Sequence, residues 1–221
     1  MEEVVPQKRA RAVGPPLRLF VYSVETVVTR SGGEIRCFGR GERGESALLV
    51  VTGFKHRFYV NAVHVDREVG RIVTTTSLED YVRTHGFARR RSYNLFASLQ
   101  LVHREDVMFF KPPQHPPTSV YEVSLTAWSD LRAVAKVFSD RHVQTWEADG
   151  IPHELRFMVD IGLRGCSWLE VDTGTFVERG TATSCDHEYA VDASRIRPLE
   201  PEGPWSAIPR LSILSFDIEC R

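Results

Sequence analysis

The sequence predicts an α+β fold, and two observations carry that prediction. Short segments with alternating or continuous apolar residues recur along the chain, each closed by a glycine- or proline-containing turn. Between them, three modest stretches read as helix, around 77–85, 129–141 and 152–161. The 221 residues are 42% hydrophobic and 26% charged, an ordinary globular balance that can bury a core. The net charge of −1 excludes a globally basic nucleic-acid binder and leaves only local basic patches for that role.

Taken in order, residues 1–16 read as a disordered basic leader ended by Pro15 and Pro16, with Lys8, Arg9 and Arg11 as a short solvated run in preference to a nuclear-import patch. LRLFVYSVETVVTR, from Leu17, is β-branched and aromatic, hence a strand. Ser31, Gly32 and Gly33 turn the chain into a second strand, EIRCFGRG, and GERGES turns it into a third, SALLVV. Gly53 interrupts the run before Phe58, Tyr59 and Val60 resume it, so the first 65 residues read as an antiparallel meander.

Ser77 to Asp80 has the shape of a capping box opening a short helix that stops at Gly86. REDVMFFK reads as a strand, and PPQHPP, 112–117, as a stiff connector. SVYEVSLT alternates, with Tyr121, Val123 and Leu125 on one face. Apolar residues at 131, 134, 135 and 138 make SDLRAVAKVFSDR an amphipathic helix. Pro152 suits the first turn of the next helix, whose apolar face is Leu155, Met158 and Val159, and Gly162 ends it. CSWLEV and TFVER read as a hairpin, HEYAVDA as a further strand, and RIRPLEPEGPW as a linker. LSILSFDIE is nearly continuous in apolar residues, the pattern of a strand buried on both faces.

That last strand carries the most suggestive chemistry. Residues two apart share a strand face, so Asp217 and Glu219 project together with Ser215, opposite Phe216 and Ile218. Paired carboxylates offer the hard oxygen ligands that Mg²⁺ or Mn²⁺ prefers. Two such ions can activate a water and stabilise the leaving oxygen of a phosphodiester. A D-x-E alone is common, and the plain alternative is a surface strand end. Arg89, Arg90 and Arg91 beside Tyr93 and Phe96 combine charge and aromatic rings, as single-strand contact surfaces do, and as many solvated loops do. Cys37, Cys166, Cys185 and Cys220 form no C-x-x-C pair, the histidines lack metal-site spacing, and no apolar stretch reaches the length of a membrane span.

Three blocks in order resemble the N-terminal part of family B DNA polymerases, closest to the delta-type catalytic subunit and its relatives in large DNA viruses. They are IRCFGRGERGESALLVVTGFKHRFYV (35–60), ELRFMVDIGLRGCSWLEV (154–171) and PLEPEGPWSAIPRLSILSFDIEC (198–220). The resemblance implies a strand-rich N-terminal domain over 17–204, with RNA-recognition-like and OB-like elements. From 205 it implies the first strand of a ribonuclease-H-like 3′→5′ exonuclease domain.

It further implies Asp217 and Glu219 as catalytic, metal-binding carboxylates using Mg²⁺ or Mn²⁺. The implied partners are primer-template and single-stranded DNA, dNTPs, and accessory subunits or a sliding clamp, in the nucleus (of a host, if viral). The second and third exonuclease motifs and the palm motifs do not occur in these 221 residues. The expectation is therefore a fragment without activity of its own. The alternatives are a stand-alone single-stranded nucleic-acid-binding module and a domain that binds only protein.

Overall fold

The computed structural model describes residues 15–29, 32–70, 72–87, 93–104, 117–148, 151–172, 175–179 and 183–211. It is a mixed α+β, strand-rich structure that divides into two compact units. The first comprises residues up to Glu25, Ile35–Gly53 and Met158 onward; the second comprises Thr26–Glu34 and Phe54–Phe157.

The first unit is built on a seven-stranded sheet. Its strands are β1 (Leu17–Thr29), β2 (Gly32–Gly41), β3 (Ser46–Thr52), β8 (Ser167–Val171), β9 (Phe176–Glu178), β10 (His187–Asp192) and β11 (Ile196–Pro198), in the order β11-β8-β1-β2-β3-β10-β9. β1 with β8, β8 with β11, β2 with β3 and β9 with β10 pair antiparallel, whereas β3 and β10 run parallel with Ala47 opposite His187. Leu19, Ile35, Cys37, Leu49, Leu169, Val171 and Ile196 meet on one face of this sheet, all buried. Burial pushes the Cys37 thiol up to about 12, because the thiolate would lose its hydration there. Ala47 through Val51 are buried without a break, which is why β3 reads as an unalternating apolar run. Gly39 is required by a close approach: a Cβ there would lie 2.5 Å from the Phe20 carbonyl oxygen.

The second unit carries a four-stranded antiparallel sheet, β5-β6-β4-β7. In chain order it runs β4 (Arg57–Asn61), α1 (Ala62–Val69), α2 (Thr75–Thr84), β5 (Phe96–Arg104), β6 (Thr118–Leu125), α3 (Leu131–Asp140) and β7 (Thr145–Trp146). With α1 and α2 taken as one helical crossover, this is the βαββαβ arrangement with its first and third strands central. It accords with the RNA-recognition-like element that the family resemblance implies. Phe58, Val60, Leu78, Val82, Leu95, Val123, Leu125, Val134 and Phe138 form its core, all with zero exposure. Tyr121 joins them, and its hydroxyl donates to Asp66 on α1 at 2.7 Å.

Several expectations are corrected. The meander does not continue through residue 65: β4 leaves the first sheet, and Ala62–Val69 is helical. Asn61 caps that helix by accepting from the His64 N–H at 3.2 Å, and Ala62 and Val65 turn inward. The capping box lies earlier than Ser77–Asp80. Thr74 is the cap, its Oγ1 accepting from Ser77 N–H at 3.1 Å while Ser77 Oγ accepts from Thr74 N–H at 2.9 Å.

The helix α4 (His153–Ile161) forms as Pro152 suggests, and Gly162 ends it at φ +76°. Its buried residues, however, are His153, Arg156 and Phe157, whereas Leu155 and Val159 are 46% and 64% exposed. Arg156 can turn inward because Glu147 pairs with it. Finally, β9 is the neighbour of β10, not the hairpin partner of β8. The expected strand at 105–111, the connector at 112–116 and the terminal strand from 212 lie outside the described residues.

Candidate functional site

Asp217 and Glu219 lie outside the described residues, as do Arg89, Arg90 and Arg91. What the structure describes is the path that leads to the first pair. The segment read as a linker is corrected here: residues 196–207 are fastened to the sheet of the first unit. Ile196, Arg197 and Pro198 pair with Val171, Glu170 and Leu169 as β11. Leu199 N–H then donates to the Trp168 carbonyl at 2.9 Å. Pro204 lies in a one-turn helix over Gly203–Ser206, which Trp205 N–H closes onto the Glu202 carbonyl at 3.1 Å. Trp205 meets Trp168 edge to face, centroids 5.6 Å apart, and Trp168 Nε1–H donates to the Ala207 carbonyl at 2.9 Å.

The same sheet face carries the charges that hold this segment. Arg18 lies opposite Glu170 across β1 and β8, its Nε donating to the carboxylate at 2.7 Å. Its guanidinium sits 4.9 Å from the centre of the Trp205 ring. Arg197 takes the other Glu170 oxygen. The Arg18 hydrogen bond, reinforced by the charge of Arg197, holds the Glu170 carboxyl below its usual range against the opposing effect of burial.

Tyr93 and Phe96 are the described members of the expected nucleic-acid patch, and Phe96 is buried in the core of the second unit. The Tyr93 hydroxyl donates to Asp130 Oδ2 at 2.8 Å, and Asp130 is buried. The tyrosine is thus tied to the start of α3, a tertiary bond that its neighbours in sequence do not announce.

The sheet face of the second unit that points away from its helices carries Arg57, Tyr59, Arg104 and Glu122, a set that reading the basic triplet missed. Strand alternation was the available signal, since Phe58 and Val60 face the core. Arg57 and Arg104 both reach Glu122, at 3.2 and 3.7 Å, and the Arg104 guanidinium lies 4.6 Å from the Tyr59 ring centre. With Tyr59 only 4% exposed, that ring is occupied by an internal contact and is not an open stacking platform. A small pocket at the start of α2 is lined by Thr75, Thr76, Glu79, Asp80 and Asn94. Glu79 there already accepts from Arg83 Nε and from Leu95 N–H, each at 2.8 Å.

Elsewhere in the second unit the His56 and His153 rings are buried together, with Trp128 stacked on His153 at 5.2 Å. Burial, and then the neighbouring His56, drives the His153 pKa down to about 3, so the imidazole is neutral at pH 7. Among the described residues no group of three or more His, Cys, Asp or Glu could hold a metal ion. Among them, too, no helix is long and apolar enough to cross a membrane.

Comparison with known proteins supports the family resemblance. Residues 143–221 match the family model "DNA polymerase family B, exonuclease domain". The DNA polymerase delta catalytic subunit of Mesocricetus auratus is 29% identical over 204 residues, covering 84% of this chain and 18% of the relative. That of Drosophila melanogaster is 38% identical over 78 residues, covering 33% of this chain and 7% of the relative. The family B DNA polymerase of Pyrobaculum calidifontis shares the fold, with a TM-score of 0.57 and 22% identity over 79% of this chain and 19% of that one. The chain thus spans about a fifth or less of the length of these proteins.

Proposed function

We propose, for a chain that resembles the N-terminal part of family B DNA polymerases in sequence and fold, that it serves as that part of a replicative DNA-directed DNA polymerase with a 3′→5′ proofreading exonuclease. The observation that carries this reading is the exonuclease-domain match over residues 143–221, which takes in SFDIE.

In this reading Asp217 and Glu219 hold Mg²⁺ or Mn²⁺. The donor set suits such an ion: two carboxylates at i and i+2, which share a face if the expected strand forms, offer only hard oxygen ligands. When bound, the ions activate water and neutralise charge at the scissile phosphodiester. The carboxylates orient the ions at the 3′ end of a DNA strand, and the fastened segment ahead of them carries the chain to that point. The whole polymerase would extend a primer with dNTPs on a DNA template in the nucleus, alongside accessory subunits or a sliding clamp. These 221 residues, which contain one acidic exonuclease motif, are inactive by themselves.

The test replaces the matching segment of a delta catalytic subunit with residues 17–221 and measures Mg²⁺-dependent excision of a mismatched 3′ nucleotide. Excision persists in the chimera, and Asp217→Ala or Glu219→Ala lowers it by about 100-fold or more, beyond the loss typical of outer-shell partners. Excision indifferent to both substitutions rejects the reading. The isolated chain degrades no 3′ single strand; Mg²⁺-dependent degradation that Asp217→Ala abolishes rejects its inactivity.

A further inference from the structure

The proline-rich segment between β11 and residue 211 is anchored more heavily than a connector needs. Backbone pairing holds 196–198, the Trp168 carbonyl holds Leu199, and the Trp168 indole holds the Ala207 carbonyl. Between those anchors Trp205 is the one large side chain, and it is enclosed by two partners from different strands. Trp168 of β8 meets it edge to face, and Arg18 of β1 covers its ring. Arg18 is itself held by Glu170 of β8, so the cation cannot swing away without breaking a carboxylate hydrogen bond. Phe20 backs the arrangement, its ring 5.6 Å from that of Trp168. Beyond Ala207, Ile208 is 68% exposed and Leu211 43% exposed, so among the described residues the indole bond is the last anchor named.

We propose that Trp205 is a positioning residue: latched between Trp168 and Arg18, it fixes the point from which the chain departs toward Asp217 and Glu219. The inference rests on the exonuclease reading of those carboxylates. Asp217 lies ten positions after Ala207, and a metal site needs its ligands placed to within a fraction of an ångström. If the latch opens, the free chain begins at Leu199 and not at Ala207. Eight flexible residues spread their far end over roughly 16 Å. The latch removes that spread from the chain ahead of Asp217 and Glu219.

The experiment measures the distance between nitroxide labels at Cys166, which is exposed, and at position 208 of the Ile208→Cys chain, with Cys185→Ser and Cys220→Ser. Buried Cys37 stays unlabelled. With Trp205 in place the distance distribution is narrow. In Trp205→Ala its width at least doubles, and Trp205→Phe, which keeps a ring between Trp168 and Arg18, restores it. Hydrogen exchange in peptides from β3 and β8 stays at the unsubstituted rate.

An unchanged distribution in Trp205→Ala overturns the proposal. So does exchange that rises as much in β3 and β8 as in 196–211, since Trp205 is then ordinary core. Should Trp205→Ala not fold, Arg18→Gln is the milder variant and must broaden the distribution in the same direction. These distances do not depend on nuclease chemistry. A working latch with excision indifferent to Asp217→Ala rejects the exonuclease reading alone, and the converse rejects the latch alone.

Discussion

His56 Nδ1 and His153 Nδ1 face each other at 3.1 Å, both rings buried. One nitrogen must donate and the other accept, so the pair holds a single proton between those two atoms. A second proton would place two cations side by side, away from water. Phe54 and Trp128 pack against the His153 ring from different segments, and Glu154, next along α4, is occupied by the Thr26 hydroxyl at 2.6 Å.

This pair predicts acid sensitivity. The folded His153 pKa of about 3 lies below its ordinary 6.5, so between those values the unfolded chain binds the extra proton. The stabilisation is fully present above about pH 6.5 and falls with decreasing pH by up to about 1.4 kcal/mol per unit. Urea midpoints taken from pH 7.5 to 5 show this slope, and His153→Phe flattens it.

The face of α4 is tested by contrast. Phe157 is fully buried, with Phe54 at 5.4 Å between centroids, so Phe157→Ala costs about 3–5 kcal/mol. Val159→Ala, at a site 64% exposed, stays within about 0.5 kcal/mol. Equal losses by chemical denaturation would restore Leu155 and Val159 as the inward face.

Gly39→Ala destabilises the first unit. The new methyl meets the Phe20 carbonyl oxygen at 2.5 Å and Leu19 Cγ at 2.6 Å, so the backbone of β1 must shift. The expected cost is about 1–3 kcal/mol in thermal or urea unfolding. Gly44→Ala has no such neighbour, and any loss there comes from its φ of +86°.

Glu170 bridges two cations, so its removal costs more than the loss of one of them. Glu170→Ala removes both charged hydrogen bonds at once, and because Arg18 and Arg197 keep contact with water, their side chains 31% and 66% exposed, it costs about 1–2 kcal/mol. Arg197→Ala, whose side chain is 66% exposed, costs less than about 1 kcal/mol. Because the folded carboxyl titrates below its ordinary 4.5, this stabilisation is present above that value and is lost as pH falls through the lower folded one.

The elements legible in the sequence were those whose pattern is local. The alternation of 119–126 put Tyr121, Val123 and Leu125 on one face, which is the buried one, and the spacing of 131, 134, 135 and 138 marked the face of α3 that packs on the core, with Ala135 partly buried. The errors share a cause in distant partners. Leu155, Met158 and Val159 look like an inward face until Glu147 is seen to neutralise Arg156. The segment 195–205 looks like a spacer until Trp205 finds Trp168. Of the candidate site, the i, i+2 geometry of Asp217 and Glu219 could be argued from strand periodicity. The fastening ahead of them could not, because its partners come from β1 and β8.

The parallel pairing of β3 with β10 bears on how the protein is made. A ribosome finishes Phe54–Phe157, the whole second stretch of its unit, before it reaches β8, β9, β10 and β11. Until then β1, β2 and β3 lack the other four strands of their sheet. The nascent chain can therefore complete its βαββαβ unit first while β3, apolar on both faces, waits with an open edge. That interval, set by the order of the strands along the message, is when a chaperone would find this polypeptide most in need of cover.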